Sequence, residues 1–309
     1  MTSMFTRRSL LGAGLGVAAG LGVMGRALAD VKATATKLND RLLLVSGLGG
    51  NLVALRGDEG LLLVDSGAPG ATSQLVAELA QFARGAKVHT VINTHWHADH
   101  TGGNDDFGAA GARMIAHAKA AQRMAVDQYV PWEERYIKAR SKVAVPTQVF
   151  YLGSKPLKFG KENIEYGYLQ QPHTDGDIYV HLRESNVLLV GDAVAPVRDP
   201  DIAWFEGGWL GGRADSLAKL LTIGDPQTRI IAATGGVISR AEVKLEQESM
   251  AKAFDIVSDA MRKGMTTEAM QKARILDGLP RKLADQDKFI YGAHKGMWAH
   301  YNKLSHSIV

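Results

Sequence analysis

A chain of 309 residues with 46% hydrophobic and 22% charged residues carries enough apolar material for a sizeable globular core, and its length admits one large domain or two small ones. The formal net charge of +4 includes Arg7, Arg8 and Arg26 near the start; from Asp30 onward 33 basic residues face 32 acidic ones, with no basic patch interleaved with aromatics, which argues against nucleic acid as a partner. Cysteine is absent, so disulfides and thiolate metal sites are excluded and any metal has to be held by His, Asp or Glu.

Residues 1–29 read as a targeting segment. Thr6-Arg7-Arg8-Ser9-Leu10-Leu11 opens it, a Gly/Ala/Leu-rich run follows to Met24, and Ala27-Leu28-Ala29 closes it. A charged start, an apolar centre of about fifteen residues and a small-x-small cleavage site together make an export signal. With its paired arginines and glycine-diluted centre the segment resembles a twin-arginine signal, which implies that an already folded, metal-loaded protein passes through the twin-arginine export machinery to the periplasm. An ordinary secretory signal and an uncleaved anchor are the other readings. The anchor is the weakest, because the apolar run falls short of the roughly twenty residues that a bilayer span needs. No later stretch is long and apolar enough to cross a membrane.

From Arg41 the pattern predicts short strands at Leu42–Ser46, Asn51–Arg56 and Leu61–Asp65, separated by the glycine-bearing turns Gly47-Leu48-Gly49-Gly50 and Gly57-Asp58-Glu59-Gly60. Leu75, Val76, Leu79 and Phe82 at helical spacing predict a helix over Ala71–Arg84. Strand Val88–Asn93, a short helix near Gly102, strand Arg113–Ala116 and a helix from Ala118 to about Arg140 follow. The second half repeats this grammar, with strands at Thr147–Tyr151, Ile164–Leu169, Ile178–Leu182 and Val187–Val190. An irregular stretch from Ala193 to Gly212, helix Ala214–Ile223 and strand Arg229–Ala233 come next, and from Ser239 the chain is mainly helical with a break at Pro280. No fixed-period repeat, low-complexity tract or linker divides residues 30–309, which are expected to form one domain of two sheets covered by helices on their outer faces.

The chemistry concentrates in His95-Trp96-His97-Ala98-Asp99-His100, directly after an apolar strand. Side chains alternate along an extended strand end, so His95 and His97 point to one side and can grip one ion, while Asp99 and His100 reach a second position once the chain turns. Imidazole and carboxylate suit zinc above other common ions, although iron or manganese accepts them too. His173, in Gln171-Pro172-His173-Thr174-Asp175-Gly176-Asp177, is placed to be a third ligand and leave an open position for water. Asp192 ends the apolar run Val187–Gly191 and can bridge two ions, cap a helix or face solvent. Asp65 ends strand Leu61–Val64 in the same way; it either accepts from a ligating imidazole N–H or simply forms a turn.

At these residues the chain resembles the metallo-β-lactamase fold superfamily, close to its glyoxalase-II-like and quinoprotein-associated hydrolases. The H-x-H-x-D-H pattern, a later histidine in an H-T-x-G-D context, an aspartate after a hydrophobic G-D strand and a preceding V-D-S-G are present in order, between about Arg41 and Gly236. The resemblance implies an α/β fold, a four-layer αββα sandwich with the site along one edge of the sheets and extra helices at the C-terminus. It implies His95, His97 and His173 on a first metal, and Asp99, His100 and Asp192 on a second. One position departs: where such proteins carry a last histidine, this chain has Ala233-Thr234-Gly235-Gly236, and Gly235 has no side chain to coordinate. One Zn2+ is therefore expected, with the second in doubt. His89, His117, His181, His294, His300 and His306 are read as structural.

An open position on such a metal lowers the pKa of bound water from about 15.7 to near 7, giving a hydroxide nucleophile without a strong base. Asp99 can orient that nucleophile or accept its proton. Trp204 and Trp209, in the aromatic loop Val197–Gly212, either wall the substrate cleft or pin the loop to the body. The expected function is a zinc-dependent periplasmic hydrolase acting on a small molecule through a cyclic amide or ester bond, a β-lactam or lactone; the alternative is a non-hydrolytic metal-binding accessory or redox protein of a periplasmic quinoprotein pathway.

Overall fold

The computed structural model describes residues 33–130 and 134–302. The targeting segment expected at 1–29 and His306 lie outside the described residues. The first half contains strands β1 (Thr34–Asn39), β2 (Leu42–Ser46), β3 (Leu52–Gly57) and β4 (Gly60–Val64), helix α1 (Thr72–Ala83), strand β5 (Val88–Ile92), short helices α2 (Ala98–Thr101) and α3 (Asn104–Ala109), strand β6 (Arg113–His117), helix α4 (Ala118–Ala125), the hairpin β7 (Gln128–Val130) and β8 (Arg135–Ile137), and strand β9 (Gln148–Phe150). The second half contains β10 (Ser154–Phe159), β11 (Glu162–Tyr168), β12 (Ile178–Leu182), β13 (Val187–Gly191), helix α5 (Leu210–Leu220), β14 (Arg229–Ala232), β15 (Val237–Ile238), and helices α6 (Arg240–Arg262), α7 (Thr267–Lys272) and α8 (Gln286–Tyr301).

These strands build one sheet in the order β1-β2-β3-β4-β5-β6-β9 and another in the order β10-β11-β12-β13-β14-β15. Alternation along each strand explains how they stack. Leu42 and Leu44 face Phe159, Ile164 and Val180 in the layer between the sheets, whereas Leu43 and Val45 point the other way, onto Leu75 and Leu79 of α1. On the far side Leu188, Val190 and Ile230 pack against Leu217 of α5, Val243 and Met250 of α6, and Phe289 of α8. Helix, sheet, sheet, helix is the four-layer αββα sandwich, with the C-terminal helices thickening one outer layer. Among the described residues no helix is long and apolar enough to cross a membrane.

The local reading and the structure differ at five elements. The helix from Ala118 stops at Ala125, because Val126 turns to extended backbone and the β-branched and aromatic Gln128–Val130 pairs with Arg135–Ile137 instead. β1 and β10 are edge strands whose polar faces hide the apolar pattern, and an edge tolerates Pro156. Helix α5 begins at Leu210, four residues before the expected Ala214, and β15 is a two-residue strand.

The parallel strands β4 and β5 end side by side, the Asp65 N–H donating to the Ile92 carbonyl at 2.9 Å. The opposite sheet meets them at the same edge: the Ile178 N–H donates to the Thr94 carbonyl at 2.8 Å, and the Asn51 N–H donates to the Ala233 carbonyl at 2.7 Å. Asp65, the residues after Ile92, the turn before β12 and the end of β13 are thus brought to one place.

Candidate metal centre

The segment after β5 leaves the sheet and enters α2 through His97, whose extended backbone (φ −59°, ψ 147°) lets His95 and His97 project before the chain coils. His173 descends from the turn between β11 and β12. That turn is fixed twice: Asp177 Oδ2 accepts from the N–H groups of His173 (3.1 Å) and Thr174 (2.6 Å), and Asp175 forms a buried two-pronged pair with Arg123 of α4 at 2.7 and 2.9 Å. Asp192 follows Gly191 at the end of β13. Its main chain is tied down by the buried Arg213 of α5, which donates to the Asp192 carbonyl at 3.0 Å and pairs with Glu246 of α6 at 2.7 Å.

The side chains converge in two overlapping groups, His95 with His97 and His173, and His95 with His100 and Asp192; within each group the ligand atoms lie within 4.8 Å of one another. Asp99 belongs to neither. Its half-exposed carboxylate stands 3.8 Å from His100 Nε2 at the rim.

Each histidine has one ring nitrogen held from outside. His100 Nδ1 donates to Asp65 Oδ2 at 2.7 Å, and Asp65 is itself fixed by the Thr94 N–H and hydroxyl, both at 2.7 Å. Because the Thr94 hydroxyl gives its proton to Asp65, its oxygen accepts from His95 Nδ1 at 3.1 Å. His173 Nδ1 donates to the Asp201 carbonyl at 3.0 Å, and His97 Nε2 donates to Glu206 at 2.5 Å. The other nitrogens face inward. His95 Nε2 and His100 Nε2 are buried without a hydrogen-bond partner, with Asp192 Oδ2 3.6 and 3.4 Å away; His97 Nδ1 and His173 Nε2 are 3.1 Å apart. Two atoms bound to one tetrahedral zinc at about 2.0–2.1 Å stand roughly 3.3 Å apart, so these residues fit a metal ion with small adjustments. Buried ring nitrogens left bare would otherwise cost stability.

Charge follows the same geometry. Burial, with His100 and His97 nearby, holds the His95 imidazole well below its ordinary pKa. Burial also works to lower His97, but Glu206 outweighs it and lifts this imidazole to about 9. For His100 burial is overcome by Asp65 and Asp192, and it stays well above the usual value. Asp192, although buried, is held well below the carboxylate range by His100, His173 and His95. Burial raises Asp177 to about 6 despite the two N–H groups it accepts from.

A glycine explains why His100 fits. A Cβ on Gly50 would lie 2.2 Å from His100 Cε1, so the turn between β2 and β3 closes over this ring only without a side chain. Beside His97 a cavity of about 690 Å³ opens between the loop 199–206 and α8, walled by Ile202, Trp204, Phe205, Phe289 and Tyr291. Of the two tryptophans expected at the cleft, only Trp204 lines it. Trp209 is the correction: it is buried, stacked on His300 of α8 with ring centroids 3.6 Å apart, and pins the loop to the body. Glu206, Arg198, Asp201 and Thr94 went unseen in the sequence, since each acts through a partner that only folding supplies. For Glu206 the one signal was its place inside the aromatic loop.

A model of the metallo-beta-lactamase superfamily matches residues 45–235, more than half of the chain. Over 127 residues, 37% of this chain and 39% of the relative, the sequence is 32% identical to 2,4-dinitroanisole O-demethylase subunit alpha from Nocardioides sp.. Over 113 residues, 36% of each protein, it is 30% identical to a hydroxyacylglutathione hydrolase from Erythrobacter litoralis. The chain thus matches little more than a third of the length of these curated relatives. Among solved structures, a metallo-beta-lactamase from Pontibacter korlensis superposes with a TM-score of 0.58 at 16% identity, over 71% of this chain and 99% of that one. A stereoselective inverting sec-alkylsulfatase from Pseudomonas sp. does so with a TM-score of 0.64 at 16% identity, over 87% of this chain and 50% of that one.

Proposed function

This chain belongs to the metallo-beta-lactamase superfamily, and from that premise we propose that it is an exported, zinc-dependent hydrolase of small molecules, opening a cyclic amide or ester such as a β-lactam or lactone. One observation carries the reading: four clustered histidines, each ring turned by an outer partner, aim a nitrogen inward beside an anionic carboxylate, and among the described residues those of His95 and His100 are buried with no hydrogen-bond partner. His95, His97 and His173 are the residues that would hold the ion. An ion held there would supply Lewis-acid chemistry that makes hydroxide available near neutral pH.

The chain's own residues do the rest. Thr94, Glu206 and the Asp201 carbonyl fix which nitrogen each imidazole offers, so that no ring has to turn when the site loads. Asp192 adds a negative charge beside them. Asp99, half exposed and 3.8 Å from His100 Nε2, would orient the attacking water and take its proton. The cavity walled by Trp204, Phe205 and Phe289 receives the apolar body of the substrate and keeps bulk water from that side.

Arg7 and Arg8, with the apolar run behind them, support export through the twin-arginine machinery to the periplasm, an address that favours lactams and lactones over mainly cytoplasmic glutathione thioesters. The test is purified, zinc-loaded protein against a panel: a chromogenic β-lactam, an aryl lactone, an S-acylglutathione, a sec-alkyl sulfate and 2,4-dinitroanisole. Turnover of lactam or lactone that is lost with His97→Ala is the expected result. Turnover of the others alone ends the cyclic-substrate reading, and turnover of none, with iron rather than zinc in the purified protein, ends the hydrolase reading.

A further inference from the structure

Asp192 has two oxygens in two different environments. Oδ2 faces the inward nitrogens of His95, His100 and His173 at 3.6, 3.4 and 4.0 Å, whereas Oδ1 accepts a hydrogen bond from the Arg198 guanidinium. We propose that Arg198 is the second cation of this site: it occupies the free oxygen of Asp192 and restricts the protein to one tightly bound divalent ion, at His95, His97 and His173. The inference rests on the metal-binding part of the reading above.

Three observations meet here. The first is the cation itself, which is placed by the short segment 193–198. That segment is anchored at its middle and its last residue, since the Ala195 N–H donates to Glu246 at 3.0 Å and Arg281 pairs with the same Glu246 at 2.9 Å while also donating to the Arg198 carbonyl. The guanidinium is therefore presented by a braced loop. The second is Gly235. Its backbone has φ +84°, where side chains are strained, and a Cβ there would meet Val197 Cγ1 at 3.0 Å and Pro196 Cγ at 3.4 Å. The loop that delivers Arg198 thus crowds the space into which residue 235 would project a side chain, so the absent side chain and the added cation belong to one packing arrangement. The third is the poverty of what remains. Among the described residues His100 and Asp192 are the buried groups left for a second ion, Asp99 is half exposed, and His95 is shared with the first group. A guanidinium on Asp192 satisfies the carboxylate and repels a divalent cation placed within a few ångströms of it.

The test is zinc stoichiometry, measured by equilibrium dialysis of chelator-stripped protein followed by elemental analysis, with zinc alone as the probe. Native protein and Arg198→Lys are expected to hold one tight ion per chain. Arg198→Met is expected to gain a second, with second-site affinity at least about tenfold tighter than in the native protein. A native protein that binds a second zinc within tenfold of the first overturns the proposal, as does an Arg198→Met that stays at one. The half-exposed Arg198 makes this variant a mild one for folding, and the native titration decides even without it. Protein that binds one zinc but turns over nothing on the panel above leaves this inference standing and removes the hydrolase, whereas protein that binds no zinc removes both.

Discussion

The two halves of the histidine cluster are built differently. Around His95, His97 and His173 every outward ring nitrogen is held, by the adjacent Thr94, by Glu206 and by the Asp201 carbonyl in turn, and the turn carrying His173 is held by Asp177 and by the buried Arg123–Asp175 pair. On the other side only His100 is held in this way, through Asp65; Asp99 is half exposed, Asp192 shares itself with Arg198, and residue 235 has no side chain. A ligand set is made by the groups behind the ligands as much as by the ligands themselves, because an imidazole that must find its own orientation loses part of the metal's binding energy.

The largest break in this contrast comes from the well-supported half. His173→Ala should lower hydrolytic turnover by on the order of 10³-fold, the several kcal/mol that a bound metal contributes, and should lower zinc content in parallel. A variant with normal zinc content would show that the three histidines do not act together. Next comes the brace under Asp192. Arg213→Met leaves the buried Glu246 with Arg281 as its remaining cation, beside the Ala195 N–H, and should destabilise the fold by about 3 kcal/mol, measurable by urea denaturation. An unchanged midpoint would mean that this buried network contributes nothing.

The poorly supported half is probed more gently. Gly50→Ala drives a methyl group into the His100 ring and should cost about 1–3 kcal/mol, with the first zinc retained. Loss of that zinc instead would show that the two halves are one unit. Glu206→Gln keeps the shape beside His97 but removes the charge, and should weaken zinc affinity by about tenfold while Asp99→Asn leaves the first ion bound. Equal losses in both variants would erase the distinction between the halves.

Much of the architecture was legible because apolar alternation survives wherever a strand is buried on one or both faces: Leu42–Ser46, Val88–Ile92 and Ile178–Leu182 fall where the pattern puts them. Edge strands Thr34–Asn39 and Ser154–Phe159 were invisible, since a half-solvated strand with Lys and Pro looks like a loop. The helix expected to run to Arg140 was lost to a hairpin whose strands are only three residues each, too short for an alternation pattern to show. At the site, His95, His97 and His100 stand within one short motif, so their proximity was readable; His173 and Asp192 were findable because each ends or follows a strand with a charged turn. Glu206, 109 residues from His97, and Arg198, facing Asp192, carry no such pattern. The aromatic loop was singled out but not divided, because whether an indole walls a cavity or stacks on His300 depends on where α8 packs.

The most direct test of the central claim is anomalous X-ray diffraction at the zinc edge from zinc-loaded crystals. A single strong peak among His95 Nε2, His97 Nδ1 and His173 Nε2, with Arg198 still on Asp192 Oδ1, is the predicted result. No peak at this point, or two of equal height with Arg198 turned away, would contradict it.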